Sequence, residues 1–491
     1  MKFKKFQNHE FFSFLFRPEV VFNFCLILLI RFGSCIESST VGSKVTVPLT
    51  QAQKNSNDLD NKLSDALKIP DSDDSDDSDP CSVDDFTERT KSAKSIKDDN
   101  PSKTAVSPKS PAKFKTKGPK RKTTPAAPAP GPFENIDIDK IVVEKNYKGP
   151  NLINGKVTLQ FMKDTILHLI KRGKWSRPPK VHFKYTLQIL RAIKEYYMKQ
   201  DSLIEINVPA GQNITVVGDI HGSTKDLIHI FTNISGLPSP TNYYLFNGDF
   251  VDRGKFSIEC ALILFGFKLL YPKTFFINRG NHEDEKQNAG ARSLDEQCDR
   301  VYGNRRVKGA FHEVFRWLPL AYRINERVLV IHGGLFQQKG VTLNDIKSIK
   351  RGVDPEYSSY NEKHSLMFDL LWSDPWKKEG REKNFDRWDA GILFGPDVSK
   401  AFCKRNNIDY IIRSHQPQEF GYSVEHDGKI ITVFSIAGYY KPFRGINDTD
   451  ITKNSGAVIK LGPPDLKPHF FNYTKVDREY SWNSYLKLGL P

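Results

Sequence analysis

An α/β fold is predicted for this chain, on three observations. Short apolar runs at Ile214 to Val217, Tyr243 to Phe246, Phe275 to Ile277, Val328 to Ile331 and Tyr410 to Ile412 each stop at a cluster of polar residues, glycine or histidine. Continuous apolar runs of that length are how strands buried on both faces read. Stretches of helical spacing lie among them, such as Ser257 to Leu270, so strand and helix alternate as in a layered α/β domain. The third observation is composition: 38% hydrophobic and 12% aromatic residues in a chain of 491 suit a soluble globular core and exclude a fibre or a polytopic membrane protein.

Residues 1–35 carry Lys2, Lys4 and Lys5 and then an apolar run from Val20 to Ile30, ahead of Gly33-Ser34-Cys35. That run is shorter than the ~20 residues that cross a bilayer. It suits the core of a signal or anchor segment followed by small residues where a peptidase cuts, with a buried apolar segment as the alternative. Membrane association, if any, is expected through it. Residues 36–132 read as a disordered low-complexity tail. Its acidic run from Asp71 to Asp79 and its Lys/Pro/Ala run from Pro108 to Pro130 cannot bury enough apolar surface to offset the entropy of ordering. Serines between aspartates suit an acid-directed kinase, and Lys117 to Lys122 makes a basic patch. Regulatory proteins are therefore expected on this tail, or it is a solvated linker.

The ordered domain is expected over 133–491. It opens with two amphipathic stretches, Leu159 to Lys171 and Tyr185 to Tyr197, which read as packing helices. Lys and Arg outnumber Asp and Glu, 73 to 58, leaving a net charge of +15; that balance favours anionic partners without choosing among nucleic acid, lipid and phosphorylated groups. The six cysteines form no C-x-x-C pair, so neither a zinc ribbon nor a disulfide scaffold is indicated.

In open α/β sheets the carboxyl ends of neighbouring strands face one crevice. The residues that would meet there are Gly218-Asp-Ile-His-Gly222, Gly248-Asp-Phe-Val-Asp-Arg-Gly254, Arg279-Gly-Asn-His-Glu283, His332-Gly-Gly334 and Arg413-Ser-His415. Carboxylates, imidazoles and one amide without a thiolate suit catalytic manganese, iron or zinc better than a structural zinc. Asp219, His221 and Asp249 are assigned to one cation, and Asn281, His332 and His415, with Asp249 shared, to a second. Two cations ~3.5 to 4 Å apart acidify a water between them, orient it for in-line attack and neutralise phosphoryl oxygens. His282 points away from Asn281 if the backbone is extended, which makes it the candidate general acid. Asp252 is expected to hold its tautomer, and Arg253 offers a fork for phosphate. Any one of these clusters alone reads as loop chemistry; their order along the chain, each after an apolar strand, carries the assignment.

These motifs resemble the signatures of the phosphoprotein phosphatase (PPP) family of serine/threonine phosphatases. The nearer resemblance is to its type 5 branch, from about Tyr147 to the C-terminus, through stretches such as Leu264 to Pro272, Leu370 to Pro375, Phe394 to Val398 and Asn407 to His415. The resemblance implies a calcineurin-like metallophosphoesterase fold, a central β-sandwich flanked by helices. It also implies two divalent cations, manganese or alternatively iron and zinc, and phosphoserine or phosphothreonine in proteins as substrate. No nucleic-acid partner is expected, and a cytoplasmic or nuclear setting is implied, against the secretory reading of residues 1–35.

Departures from the family pattern are expected to matter near the substrate. The family's second phosphate arginine corresponds to Arg387 within Asp386-Arg-Trp-Asp-Ala-Gly-Ile-Leu-Phe394, one residue longer than the family's spacing. Tyr439 matches the substrate-facing tyrosine, but Tyr440 stands where the family has a cysteine. Asn288-Ala-Gly-Ala-Arg-Ser293 lacks a family tyrosine. No 34-residue helical repeat is legible in Met1 to Pro132, so the tetratricopeptide repeats of the type 5 branch are expected to be absent, leaving Trp482 to Leu490 without the partner it packs on there. A nucleotide-directed metallophosphoesterase and a phosphoprotein-binding pseudoenzyme are the competing readings.

Overall fold

The computed structural model describes residues 131–134, 136–170, 180–357, 363–439 and 454–475. The expectations for residues 1–35, for nearly all of the 36–132 tail, for Tyr440 and for Trp482 to Leu490 lie outside the described residues.

The strands, in chain order, are β1 (Leu203–Ile206), β2 (Ile214–Val217), β3 (Tyr243–Phe246), β4 (Phe275–Ile277), β5 (Ala321–Ile324), β6 (Val328–Ile331), β7 (Asp374–Pro375), β8 (Arg381–Lys383), β9 (Ile392–Phe394), β10 (Tyr410–Arg413), β11 (Tyr422–Glu425), β12 (Ile430–Val433), β13 (Gly456–Leu461) and β14 (His469–Tyr473). One sheet runs β14-β13-β2-β3-β4 and another β1-β5-β6-β10-β12-β11, with a small third sheet β7-β9-β8. β2, β3 and β4 are mutually parallel, as are β6, β10 and β12. The antiparallel strands β13, β14 and β11 border these parallel cores.

Side-chain alternation with period two explains how the sheets stack. Ile214 and Val216 of β2 share a buried cluster with Val328 and Val330 of β6 and with Ile431 and Val433 of β12, so the two sheets face each other across an apolar layer. Val217, Phe246 and Ile277 point the other way, into a second cluster with the helices α1 (Leu159–Ile170), α2 (Phe183–Tyr197), α4 (Ser257–Leu270) and α6 (Arg305–Trp317); α3 is the short Thr224–His229 and α5 is Leu294–Tyr302. On the far side Leu329, Ile331 and Ile411 pack with α8 (Leu366–Trp372) and α9 (Pro396–Asn406), beyond the short α7 (Leu343–Lys347). The helix-flanked β-sandwich expected from the resemblance is present. Among the described residues, no helix is long and apolar enough to cross a membrane.

α4 is buried nearly all round, and its one cation is buried with it. The Lys268 ammonium donates to the Pro272 carbonyl at 2.9 Å and lies 4.8 Å from the ring centroids of Tyr196 and Phe276. Burial lowers its pKa to about 7. The unfolded chain therefore holds a proton that the folded chain sheds between about pH 7 and the ordinary lysine value, so stability rises with pH across that window. Lys268→Met is expected to raise unfolding free energy by about 2 to 4 kcal/mol at pH 6.5, with the gain shrinking towards pH 10. Urea unfolding of both proteins at several pH values checks this, and a pH-independent difference would contradict it.

Candidate metal centre

The turns after β2, β3, β4, β6 and β10 lie where the two sheets meet. Asp219 pairs through its backbone with Phe434, and the Gly218 N–H donates to Ser435 Oγ at 2.8 Å. Close approach there depends on glycine: a Cβ on Gly280 would stand 2.2 Å from Asp249 Oδ1, and one on Gly248 would stand 2.4 Å from the Gly280 nitrogen. His221, Asp249, Asp252, Arg253 and His415 all adopt positive φ, between 33° and 70°, a strained conformation for side-chain-bearing residues that gathers at ligand clamps. Glu283 holds the turns in place. Its carboxylate accepts from the N–H groups of Asp249 (2.8 Å), Phe250 (3.0 Å) and Gly280 (2.7 Å).

The structure brings Asp219, His221, Asp249, Asn281, His282, His332 and His415 together, all buried. Two groups have ligand atoms within 4.8 Å of one another: His221, Asp249 and His282, and Asp249, His332 and His415. Asp249 belongs to both, the place assigned to it from the sequence. Asp219 lies beside the first group, with Oδ2 3.8 Å from His221 Nε2.

The donor chemistry fits cations. A carbonyl can only accept, so His221 Nδ1, 2.9 Å from the Val251 carbonyl, and His332 Nδ1, 2.8 Å from the Asn247 carbonyl, must carry hydrogens. That turns both Nε2 atoms inward. His221 Nε2 then faces Asp249 Oδ2 at 3.6 Å, while His332 Nε2 faces Asn281 Oδ1 at 3.0 Å, His415 Nδ1 at 3.2 Å and Asp249 Oδ1 at 3.4 Å. Lone pairs converge, and His415 Nε2 is buried without a hydrogen-bond partner. Something positive must sit among them. The protonation equilibria carry the same sign: burial and then the Asp249 charge push Asp219 up to about 7. Burial alone would lower His332, but Asp249 outweighs it and lifts the ring to about 9. Divalent cations supply that charge without holding protons in the site.

His282 is oriented differently from the other imidazoles. Its Nδ1 lies 2.8 Å from Asp252 Oδ2, and its backbone N–H donates to Asp249 Oδ1 at 2.9 Å. Spacing alone makes it a possible ligand, whereas the carboxylate partner suits a proton donor. Burial, the largest influence, opposes its charged form, but Asp249 and the Asp252 hydrogen bond prevail and raise its pKa. Asp252 is itself held by Asn288 Nδ2 at 2.9 Å and the Leu294 N–H at 2.8 Å.

Of the expected phosphate and substrate groups, Arg253 is exposed at the rim, and its charge disfavours protonation of His221 and His282. Arg387 reaches the site despite the longer spacing. It pairs with Asp374 through Nε and, at 3.2 Å, through Nη2, which also donates to the His415 carbonyl at 3.0 Å. Trp388 and Asp389, which follow it, are both left-handed. Tyr439 stacks on His221, with ring centroids 5.7 Å apart, and burial lifts its hydroxyl to about 12.

The sequence reading gave no role to Glu283, Asn288, Asp374 or Arg413. Asp374 bridges Arg387 and buried Arg413, whose Nη2 lies 2.8 Å from Oδ1. The signal available for it was its place inside the family-like stretch Leu370 to Pro375, which names no role for any one residue.

Residues 212–419 match the family model described as calcineurin-like phosphoesterase. The human serine/threonine-protein phosphatase 5 is 43% identical over 344 residues, 70% of this chain and 64% of that protein. The chain thus spans about two thirds of that relative's length. Serine/threonine-protein phosphatase T of Aspergillus oryzae is 40% identical over 353 residues, 69% of each chain. A solved phosphatase from Saccharomyces cerevisiae with similarity to human phosphatase PP5 superposes with a TM-score of 0.57 at 30% identity, covering 66% of this chain and 98% of that one. The expected absence of tetratricopeptide-repeat sequence is not borne out: residues 126–205 match the model described as PPP5 TPR repeat region. The expectation concerned Met1 to Pro132, whereas this match covers α1 and α2, whose apolar faces pack on α4 and α6 and so read as ordinary packing helices.

Proposed function

Since the chain belongs to the serine/threonine-protein phosphatase family, in the branch of phosphatases 5 and T, we propose that it hydrolyses phosphoserine and phosphothreonine in proteins by direct attack of water. The observation that carries this reading is the buried convergence of acceptor atoms around Asp249, beside a carboxylate-held histidine.

Asp219, His221 and Asp249 would hold one divalent cation, and Asp249, Asn281, His332 and His415 a second, with manganese the expected pair. When bound, such a pair neutralises phosphoryl oxygens and acidifies a water. The chain's own groups do the rest. Arg253 and Arg387 grip phosphate oxygens through their planar forks, Arg387 being aimed by Asp374. His282 gives its Nε2 proton to the serine or threonine oxygen as the phosphorus–oxygen bond breaks, so that the leaving group departs as a neutral alcohol. Asp252 keeps the proton on Nδ1 and favours the charged ring. Asn281 and Tyr439 line the substrate side. Regulatory proteins are proposed to bind through the region that matches the PPP5 TPR repeat model and through the N-terminal tail.

Phosphate release from phosphothreonine and phosphoserine peptides, compared with ring opening of a cyclic nucleotide to the nucleoside monophosphate, tests the substrate class. The full chain with manganese is expected to turn over the peptides at least tenfold faster. Preference for the nucleotide would reassign the site to a nucleotide phosphoesterase.

A further inference from the structure

We propose that Arg316 is a positioning residue for the reaction: by clasping Glu285 and Asp354 it fixes the turn from which Asn288 holds His282 and Asp252. The inference rests on the phosphatase reading above and concerns what keeps its proton donor in place.

One amide holds the donor and its carboxylate together. The Asn288 side-chain nitrogen donates to Asp252 Oδ2 at 2.9 Å and to the His282 carbonyl at 2.8 Å. A carboxylate and a carbonyl only accept, so the NH2 edge of Asn288 faces both, and its two hydrogens serve the two bonds. A shift of Asn288 therefore disturbs His282 and Asp252 at once.

Asn288 takes its place from the turn that precedes it. Its N–H donates to the Asp284 carbonyl at 3.0 Å, and Asp284 Oδ1 accepts from the N–H groups of Lys286 at 2.9 Å and Gln287 at 3.3 Å. Two arginines hold this turn from outside. Arg279, fully buried, donates through Nε to the Glu283 carbonyl at 2.9 Å, through Nη1 to the Val353 carbonyl at 3.0 Å and through Nη2 to Asp354 Oδ1 at 3.3 Å. Arg316, in the last turn of α6, meets Asp354 Oδ2 through Nε at 2.8 Å, Glu285 through Nη2, and Glu313 Oε1 through Nη1 at 3.3 Å. Asp354 thus joins the two guanidiniums, and the turn is gripped at Arg279 and again at Glu285.

Folding stability is a weak account of this ring. The Glu285 side chain is 54% exposed, and ion pairs open to water contribute little to stability. A planar fork spread over three carboxylates fixes direction instead. Proton transfer depends on direction, and a misplacement of about 1 Å that starts far from the reacting atoms can cost ~100-fold in rate.

The test uses the full chain with manganese and two esters, a phosphothreonine peptide and p-nitrophenyl phosphate, whose leaving group departs as a stable anion with little need of an acid. Arg316→Met is expected to lower kcat for the peptide about tenfold and for the aryl ester about threefold or less, with KM changed less than about twofold and bound manganese unchanged. Glu285→Gln, at a half-exposed side chain, should lower kcat in the same peptide-selective way by a smaller factor, and it carries the test if Arg316→Met folds poorly. Added to Arg316→Met, it should cost no more than about a further twofold, because both changes open the same clasp. Equal losses on the two esters, loss of manganese, unchanged kcat, or two effects that simply multiply would overturn the role of Arg316. His282→Asn separates this from the reading beneath it. Equal losses on both esters in His282→Asn would remove the proton donor itself, whereas a peptide-selective loss in His282→Asn that neither Arg316→Met nor Glu285→Gln reproduces would remove the clasp alone.

Discussion

His282→Asn is expected to lose about 100- to 10,000-fold of phosphopeptide turnover, the usual worth of a positioned general acid, while keeping its full complement of cations. Asparagine keeps a similar shape beside Asp252 but has no proton to give to the departing oxygen. The loss should therefore fall on kcat more than on KM, because the phosphate grip of Arg253 and Arg387 is untouched. The competing outcome is specific. His282 shares a buried ligand-spaced group with His221 and Asp249, so loss of a cation from His282→Asn, measured by elemental analysis, would move it from proton donor to ligand. Unchanged turnover would remove it from the reaction.

Asp249→Asn is expected to release both cations and to lower turnover ~1,000-fold or more, since several kcal/mol of charge stabilisation goes with them. Its Oδ2 faces His221 and its Oδ1 faces His332, and it belongs to both ligand-spaced groups. The variant also loses the charge that lifts His332, and the imidazoles then have neither cation nor proton to share. Elemental analysis after dialysis, read beside phosphate release, separates this from a single-site loss. Retention of one cation at undiminished affinity would show that Asp249 serves only one side.

Much of this site was legible because buried parallel strands write themselves as unbroken apolar runs, and the turn after each run carries its chemistry in a short motif. That is why the sequence alone gathers Asp219, His221, Asp249, Asn281, His332 and His415 into one crevice. The sandwich itself was not legible from periodicity: β13 pairs with β2 although more than two hundred residues separate them, and β1 pairs with β5 across more than a hundred. The same limit hid Asp374. Its meaning comes from Arg387, thirteen residues on, and Arg413, thirty-nine residues on, and no local pattern joins the three. Glu283 lay inside a recognised motif, but its work of accepting three backbone N–H groups exists only once β3 and β4 are side by side. The reach of Arg387 likewise rests on a contact that spacing does not reveal, that of its Nη2 with the His415 carbonyl.

That the acceptor atoms gathered on Asp249 hold cations which make phosphate-ester hydrolysis possible is the centre of the proposed mechanism. It is tested most directly by measuring bound manganese and phosphothreonine-peptide turnover on the same samples of the full chain, after chelation and during stepwise return of the metal. Turnover should vanish with the metal and return in step with about two manganese ions per chain, the number expected of a paired-metal hydrolase. Full turnover in chelated, metal-free protein, or two ions bound without any phosphate released, would contradict it.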